Sequence, residues 1–542
     1  MLDRLAKKYG SDPMSIMKPA AASANSGVEL AEVVAAVALA TDLGLGQPLE
    51  HLLRTCLIAT RFADRLGASQ EDRDATYWVA LFMIAGCTAI SFEMSQMFGD
   101  DIDFRRGLYS VPASTLHQIR YMFGRAGSNR SPLGRAGVSI RLMASRMTSL
   151  EQALLAHCAV SVRLAERLGL GGAVVASLRQ TFTRWDGRGI PRGVGGGQLL
   201  LPIRIVHIAN IVEERDRTRG VEASIARAQE FSGTSFDPAL VSAWSASADE
   251  VLDGVDAESA WERVVSSQPG GREPLTEAEL DDALALLGDY ADLKSPWFTG
   301  HSRGVASLAA AAARAAGAPE GDVKTLRRAA LLHDIGRNGV PNTVWDKPGR
   351  FTEAEMERAR LHAYYTERVL HRASRLSLLA GVAAAAHERS GGGGYPRRIT
   401  GAAIPFTARI LAAADAYHAM LEERPHRPAL SRERAASELR NAARLSELDG
   451  AAVDAVLGAA GHRTRRKPSA PAGLTPRELE VLALVARGST TRAMGVSLGI
   501  APKTAEHHIE NIYSKTGISS RAEAALFAMQ QGLVRDWETT ET

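Results

Sequence analysis

The sequence predicts an all-α protein, with two copies of one helical domain in tandem followed by a small four-helix domain. Three observations lead there. Long Ala- and Leu-rich runs have high helix propensity. Helix signals recur: Thr352-x-x-Glu355 and Thr475-x-x-Glu478 read as capping boxes, Pro319 and Pro476 suit first turns, and Gly317 and Gly488 suit stops. Landmark residues also come twice at equal intervals. His51 to Met83 spans 32 positions, as does His301 to His333. His157 to Phe182 spans 25, as does His362 to His387, and Pro191 to Arg204 spans 13, as does Pro396 to Arg409.

Composition narrows the classes. At 542 residues one core is not expected, and the length prior gives about three to four units. Hydrophobic content of 45% and charged content of 23% are those of an ordinary globular chain. A net charge of +3 excludes a polycation, so any nucleic-acid contact must be local. Cys56, Cys87 and Cys158 are far apart and form no Cys-x-x-Cys pair, which speaks against a disulfide framework or a structural zinc site. No apolar run approaches the ~20 residues that span a bilayer. Arg4, Lys7 and Lys8 are followed by no apolar segment, so no secretory signal is expected. The expected location is cytoplasmic, with no membrane partner.

Taken in order, residues 1–26 read as a loose polar tail. Residues 27–250 read as the first copy, with an insertion from about Ser91 to Thr148. Thr183-Arg184-Trp185-Asp186-Gly187-Arg188-Gly189-Ile190-Pro191 lines up with Glu388 to Pro396, and Phe236-Asp237-Pro238-Ala239 with Leu448-Asp449. Met83, Ile84, Phe182 and Asn210 stand where the second copy has His333, Asp334, His387 and Asp415. Only His51 and His157 remain, and two imidazoles without a bridging carboxylate make no hydrolytic centre. The first copy is therefore expected to be structural, sensory or dimerising. Residues 251–290 read as a helical connector.

Residues 291–460 form the second copy, and its centre is His333-Asp334. Adjacent His and Asp offer two ligands of different character: the imidazole binds one ion and the carboxylate can bridge to a second. His301 lies 32 positions before His333 and His362 lies 29 after it, with His387 a further 25 on and Asp415 a further 28. Gly391-Gly392-Gly393-Gly394-Tyr395-Pro396 sits between the last two.

This stretch resembles an HD-GYP domain, a metal-dependent branch of the HD phosphohydrolases. The matching residues are Asp292-Leu-Lys-Ser-Pro, His301-Ser302-Arg303, His333-Asp334-Ile-Gly, Trp345-Asp-Lys-Pro-Gly349, His362, His387-Glu388-Arg389 with Gly394-Tyr395-Pro396, and Ala414-Asp415-Ala416. The resemblance implies one ion held by His301, His333, Asp334 and Asp415. It implies a second held by Asp334, His362 and His387. Asp334 and Arg337 would be catalytic, the ions iron, manganese or zinc, and the ligand phosphate-bearing, such as cyclic di-GMP. Four positions depart from the pattern. Ala386 replaces the first of two adjacent histidines, Gly391 an Asp, Ala363 a Pro, and Arg337 a Lys. The missing histidine is expected to weaken the second ion's site.

His462-Arg-Thr-Arg-Arg-Lys-Pro-Ser-Ala-Pro471 reads as a basic linker, within residues 461–472. Residues 473–535 resemble a LuxR-type helix-turn-helix, leaving 536–542 as a tail. The residues that carry this are Leu474-Thr-Pro-Arg-Glu478, Ala486-Arg487-Gly488, Pro502-Lys503-Thr504, His508, Asn511-Ile512-Tyr513, Lys515 and Ser520-Arg521-Ala522-Glu523-Ala524. By helical angle, Ala505, Ile509, Ile512 and Tyr513 face a core. Lys503, Thr504, His507, Asn511, Ser514 and Lys515 lie opposite, as the groove-facing side of a recognition helix, with His508 at the boundary. Met494-Gly495, Ala505 and Ala501 depart from the family pattern. Seven Lys/Arg against eight Asp/Glu in residues 473–542 make one copy a weak binder, so a homodimer is expected on double-stranded DNA.

The whole reads as a DNA-binding regulator whose HD-GYP domain senses or hydrolyses a phosphate-bearing ligand. The alternative is a cyclic-dinucleotide phosphodiesterase whose C-terminal module only dimerises or localises it.

Overall fold

Two units divide the chain, residues 1–462 and 463–542. The computed structural model describes residues 27–462 and 471–528, apart from 145–147, 258, 272, 374–375, 487, 519, 521–522 and 525–526. Both expected tails, most of the basic linker and most of the fourth C-terminal helix lie outside the described residues. Every regular element among the described residues is helical, as the sequence predicts.

The repeat is visible helix by helix in the first unit. Leu30–Leu45 corresponds to Glu277–Asp292, His51–Arg65 to His301–Ala315, and Gln70–Phe82 to Glu320–Leu332. Thr148–Arg167 corresponds to Glu353–Arg372, Leu201–Arg219 to Phe406–Leu421, and Pro238–Leu252 to Gly450–Ala459. Helix Glu277–Asp292 thus straddles the boundary expected at 291. Local bonds recur with the helices. Asp42 accepts from the Leu52 amide at 3.2 Å, as Asp292 does from Ser302 at 3.0 Å. Arg204–Asp237 and Arg409–Asp449 are equivalent ion pairs at 2.8 and 2.7 Å. Thr276 with Glu279 and Thr352 with Glu355 form reciprocal capping boxes, which satisfy orphan amides at two helix starts.

One apolar core runs through both copies. Polar groups pin them together inside it. The Tyr290 hydroxyl lies 2.7 Å from Thr41 Oγ1 and 2.7 Å from Thr88 Oγ1. Asp101, from the insertion, is fully buried and pairs with Lys294 and Arg105, each at 2.9 Å. It also accepts the Asn342 amide at 2.8 Å. The insertion supplies helices Ser91–Phe98, Asp101–Leu108, Thr115–Arg125 and Pro132–Ala144 around a small core of Ile90, Met94, Phe98, Phe104, Val138 and Leu142.

In the second unit, Pro476–Ala486, Thr491–Leu498 and Pro502–Thr516 pack around Val481, Leu482, Val485, Met494 and Ile512. Ala524 and Ala528 of the expected fourth helix are buried on the same core. No single helix among the described residues is long and apolar enough to cross a membrane.

Candidate metal centre and nucleic-acid interface

Helix Glu320–Leu332 delivers His333 at its end, and Asp334 leads into the tight turn Ile335–Gly339. A Cβ at Gly336 would collide with the carbonyl oxygen of His362. Glycine there lets helix Glu353–Arg372 lie directly on the turn, which brings His362 to Asp334. The first cluster is His301, His333 and Asp415, joined by Asp334 Oδ2. His301 Nε2 lies 3.2 Å from Asp415 Oδ1 and 3.4 Å from Asp334 Oδ2. His333 Nε2 lies 2.9 Å from Asp334 Oδ2 and 3.7 Å from Asp415 Oδ1. The second cluster is Asp334, His362 and His387. Asp334 Oδ1 stands 3.4 Å from His362 Nε2 and 3.9 Å from His387 Nε2, and the two nitrogens are 2.8 Å apart.

Ligand atoms about 2.0–2.2 Å from a common centre stand roughly 2.8–3.6 Å apart, and most of these separations fall there. His301 Nε2, His333 Nε2 and both Asp334 oxygens are buried without a hydrogen bond of proper geometry. Four buried polar atoms left in that way, converging from three side chains, fit a cation. The imidazoles are also turned correctly. His333 Nδ1 lies 2.7 Å from the Ala330 carbonyl, and His362 Nδ1 lies 2.6 Å from that of Ala359. His301 Nδ1 lies 3.0 Å from Glu422 Oε2. A proton held at Nδ1 leaves the Nε2 lone pair facing inward.

Charge follows the geometry. Burial works against the Asp334 carboxylate, yet Arg337 and the neighbouring imidazoles hold it well below the usual range. Burial also opposes charge on His301 and His333, but the surrounding carboxylates raise them to about 10 and about 9. Burial, with His387 close by, lowers His362 to about 3.

All six expected ligands thus meet in one centre. Two neighbours were not read from the sequence: Glu422 backs His301, and Arg424 lies over the Phe298 ring at 4.8 Å, as Arg337 does at 4.1 Å. Tyr395 of the glycine-rich motif stacks on His387 with ring centroids 5.0 Å apart. Glu422 carried one signal: it stands seven positions after Asp415, two helical turns along.

The first copy keeps the frame and replaces the contents. His51 is fully buried, with Nδ1 against Glu213 and Nε2 3.1 Å from Asn210 Oδ1 and 3.2 Å from the Tyr109 hydroxyl. Its metal-facing nitrogen is therefore already satisfied. His157 packs edge-on against Phe182 at 4.8 Å, with both its ring nitrogens buried and without a hydrogen bond of proper geometry.

Residues 285–452 match the HD domain family, and residues 472–528 match the bacterial regulatory proteins of the luxR family. The 3'3'-cGAMP-specific phosphodiesterase 3 of Vibrio cholerae is 31% identical over 405 residues, 74% of this chain and 88% of that protein. That length exceeds either copy, so the match runs through both. The chain belongs to the HD-GYP family. The crystal structure of a cyclic GMP-AMP specific phosphodiesterase of V. cholerae covers 80% of this chain and 98% of its own, at 27% identity and a TM-score of 0.56. The cyclic di-GMP phosphodiesterase response regulator RpfG of Xanthomonas campestris pv. campestris is 35% identical over 183 residues, 33% of this chain and 47% of that protein.

Two departures from the HD-GYP pattern now have surroundings. Ala386 is fully buried in the main core beside His387, so a larger side chain there must displace packed neighbours. A Cβ at Gly391 would lie 3.1 Å from the Ser446 carbonyl oxygen. In the LuxR-type domain, Lys503, Thr504 and His507 are exposed on helix Pro502–Thr516, while His508 and Asn511 are half-buried. Ala501 makes no side-chain cap, as expected. Lys515 is exposed and also binds within the domain: its ammonium lies 2.8 and 2.7 Å from the two oxygens of Glu478, the buried capping-box residue of helix Pro476–Ala486.

Proposed function

We propose that the second copy is a metal-dependent phosphodiesterase acting on a cyclic dinucleotide, and that the C-terminal domain binds double-stranded DNA. The observation that carries the first half is Asp334, which turns one oxygen toward each ligand cluster. His301, His333, Asp334 and Asp415 would hold one divalent ion, and Asp334, His362 and His387 the other. Imidazole with carboxylate suits iron, manganese or zinc better than calcium. Bound there, such ions acidify a water and neutralise phosphoryl charge.

The chain's own residues supply grip and orientation. Arg337 rests on Phe298 at 4.1 Å with Nη2 2.5 Å from Asp334 Oδ2, and its Nε and Nη1 are buried without partners. A guanidinium held that way has donors ready for a phosphodiester oxygen. A cavity of about 370 Å³ beside Glu422 is lined by Pro296, Trp297, Thr299, Glu422 and Glu423. Its size is within the range of small-molecule sites. Among cyclic dinucleotides, 3'3'-cGAMP stands ahead of cyclic di-GMP. The relative named for the former pairs with 74% of this chain, and RpfG with 33%.

Hydrolysis of both dinucleotides by the purified, metal-loaded chain, followed by chromatography, tests this. Faster loss of 3'3'-cGAMP is expected; no turnover of either would leave a ligand sensor. The regulator reading rests on the exposed Lys503 and Thr504. As a phosphate contact, Lys503→Ala should weaken all duplexes alike and reduce the salt slope by about one.

A further inference from the structure

The insertion carries a surface that lies outside the metal-ligand clusters. Between Asp103 and Glu151 the sequence holds eight arginines and no acidic residue, in a chain whose net charge is only +3. Arg120, Arg130, Arg135 and Arg141 are exposed and make no ion pair among the described residues. The same stretch is unusually apolar on its outside. Leu116, Leu133, Ile140 and Met143 are 74%, 87%, 61% and 58% exposed.

Helix Pro132–Ala144 makes the point most clearly. Its inward face is Val138 and Leu142, buried on the insertion's own core. Its outward face, at helical spacing, is Leu133, Ala136, Gly137, Ile140, Arg141 and Ala144, all exposed. A surface helix ordinarily turns polar residues outward. This one turns out aliphatic side chains and arginine. On helix Thr115–Arg125, Leu116, Ile119 and Arg120 share an exposed face in the same way.

We infer that helices Thr115–Arg125 and Pro132–Ala144 are a docking surface for an anionic lipid membrane, bound peripherally. Such a surface offers phosphates to the arginines and acyl chains to the leucines, the combination that interfacial helices use. The other occupants fit less well. A second copy using the same face would bring arginine against arginine, with no acid in the segment to offset it. A nucleic-acid backbone would engage the arginines and leave the aliphatic side chains without a partner. This departs from the expectation of no membrane partner, which spanning runs and an N-terminal signal alone inform.

Co-sedimentation of the full chain with lipid vesicles decides the matter. Binding to phosphatidylglycerol vesicles at low salt is expected, with none to phosphatidylcholine vesicles. Leu133→Asp with Ile140→Asp should weaken binding at least on the order of tenfold. Arg120→Gln with Arg141→Gln should weaken it on the order of tenfold and flatten its salt dependence. All four positions are exposed, so melting temperature should stay at the wild-type value. Failure to bind phosphatidylglycerol, or equal binding by both double variants, overturns the inference. So does a dimer, or retention by duplex DNA, that is lost in these variants without any vesicle binding.

Discussion

The two copies share a backbone and differ in what they aim at its centre. In the second, His362 Nε2 meets His387 Nε2 at 2.8 Å; in the first, the ring of His157 meets Phe182 at 4.8 Å. The turn glycine survives in both. A Cβ at Gly86 would strike His157's carbonyl oxygen, just as one at Gly336 would strike that of His362. Even the carboxylate behind the surviving histidine persists, from a different place: Glu213 backs His51, and Glu422 backs His301. Asn210 and Tyr109 then take up the nitrogen that would face a metal. The lesson is that close helix approach and ligand chemistry are separable. The first is set by glycine and packing, and it outlasts the second.

The comparison can be broken most directly at Asp334. Asp334→Ala should remove bound metal, measured by elemental analysis, and lower any hydrolysis by at least on the order of 10³-fold. Undiminished metal would mean that the two copies differ less than their side chains suggest. Asp101→Ala asks whether the first copy supports the second. It leaves Lys294 and Arg105 buried without their anion, so a loss of about 3–5 kcal/mol in denaturant unfolding is expected. Glu422→Gln keeps the shape but removes the charge behind His301, and metal affinity should fall about 10–100-fold in competition with a chelator.

A pH titration sharpens the same contrast. His301 and His333, raised to about 10 and about 9, hold protons at neutral pH that a metal must displace. Affinity should therefore weaken steadily as pH falls below about 9, with about two protons released per binding event near neutrality. Calorimetry in buffers of different ionisation enthalpy reads that number; a value near zero would remove these two histidines from the site. The smallest effect is expected from Met83→His with Ile84→Asp. With His51 already satisfied by Glu213, Asn210 and Tyr109, metal content should not change.

Much of this was legible because ligand types at fixed intervals survive translation into a fold. His301, His333, Asp334, His362, His387 and Asp415 were placed by spacing and resemblance, and the structure brings all six together. The groups that orient them were not legible. Glu422 is 121 positions from His301, and only the end of helix Phe406–Leu421 returns it there. Helical angle and resemblance place Lys515 on the groove-facing side of its helix, but they do not reveal its ion pair. Its partner Glu478 lies 37 positions earlier, and no angular projection of one helix can see a carboxylate on another. Asp101 and Lys294, 193 positions apart, carried no pairwise signal at all.

The buried Asp101–Lys294 pair has a consequence for the history of the gene. A duplicated domain that has lost its chemistry can ordinarily be discarded by deletion. Here, deleting it would remove the anion that Lys294 pairs with and strip the packing from helix Glu277–Asp292. The first copy is thereby tied to the second as part of its interior, and the shortest unit that keeps these contacts is the pair.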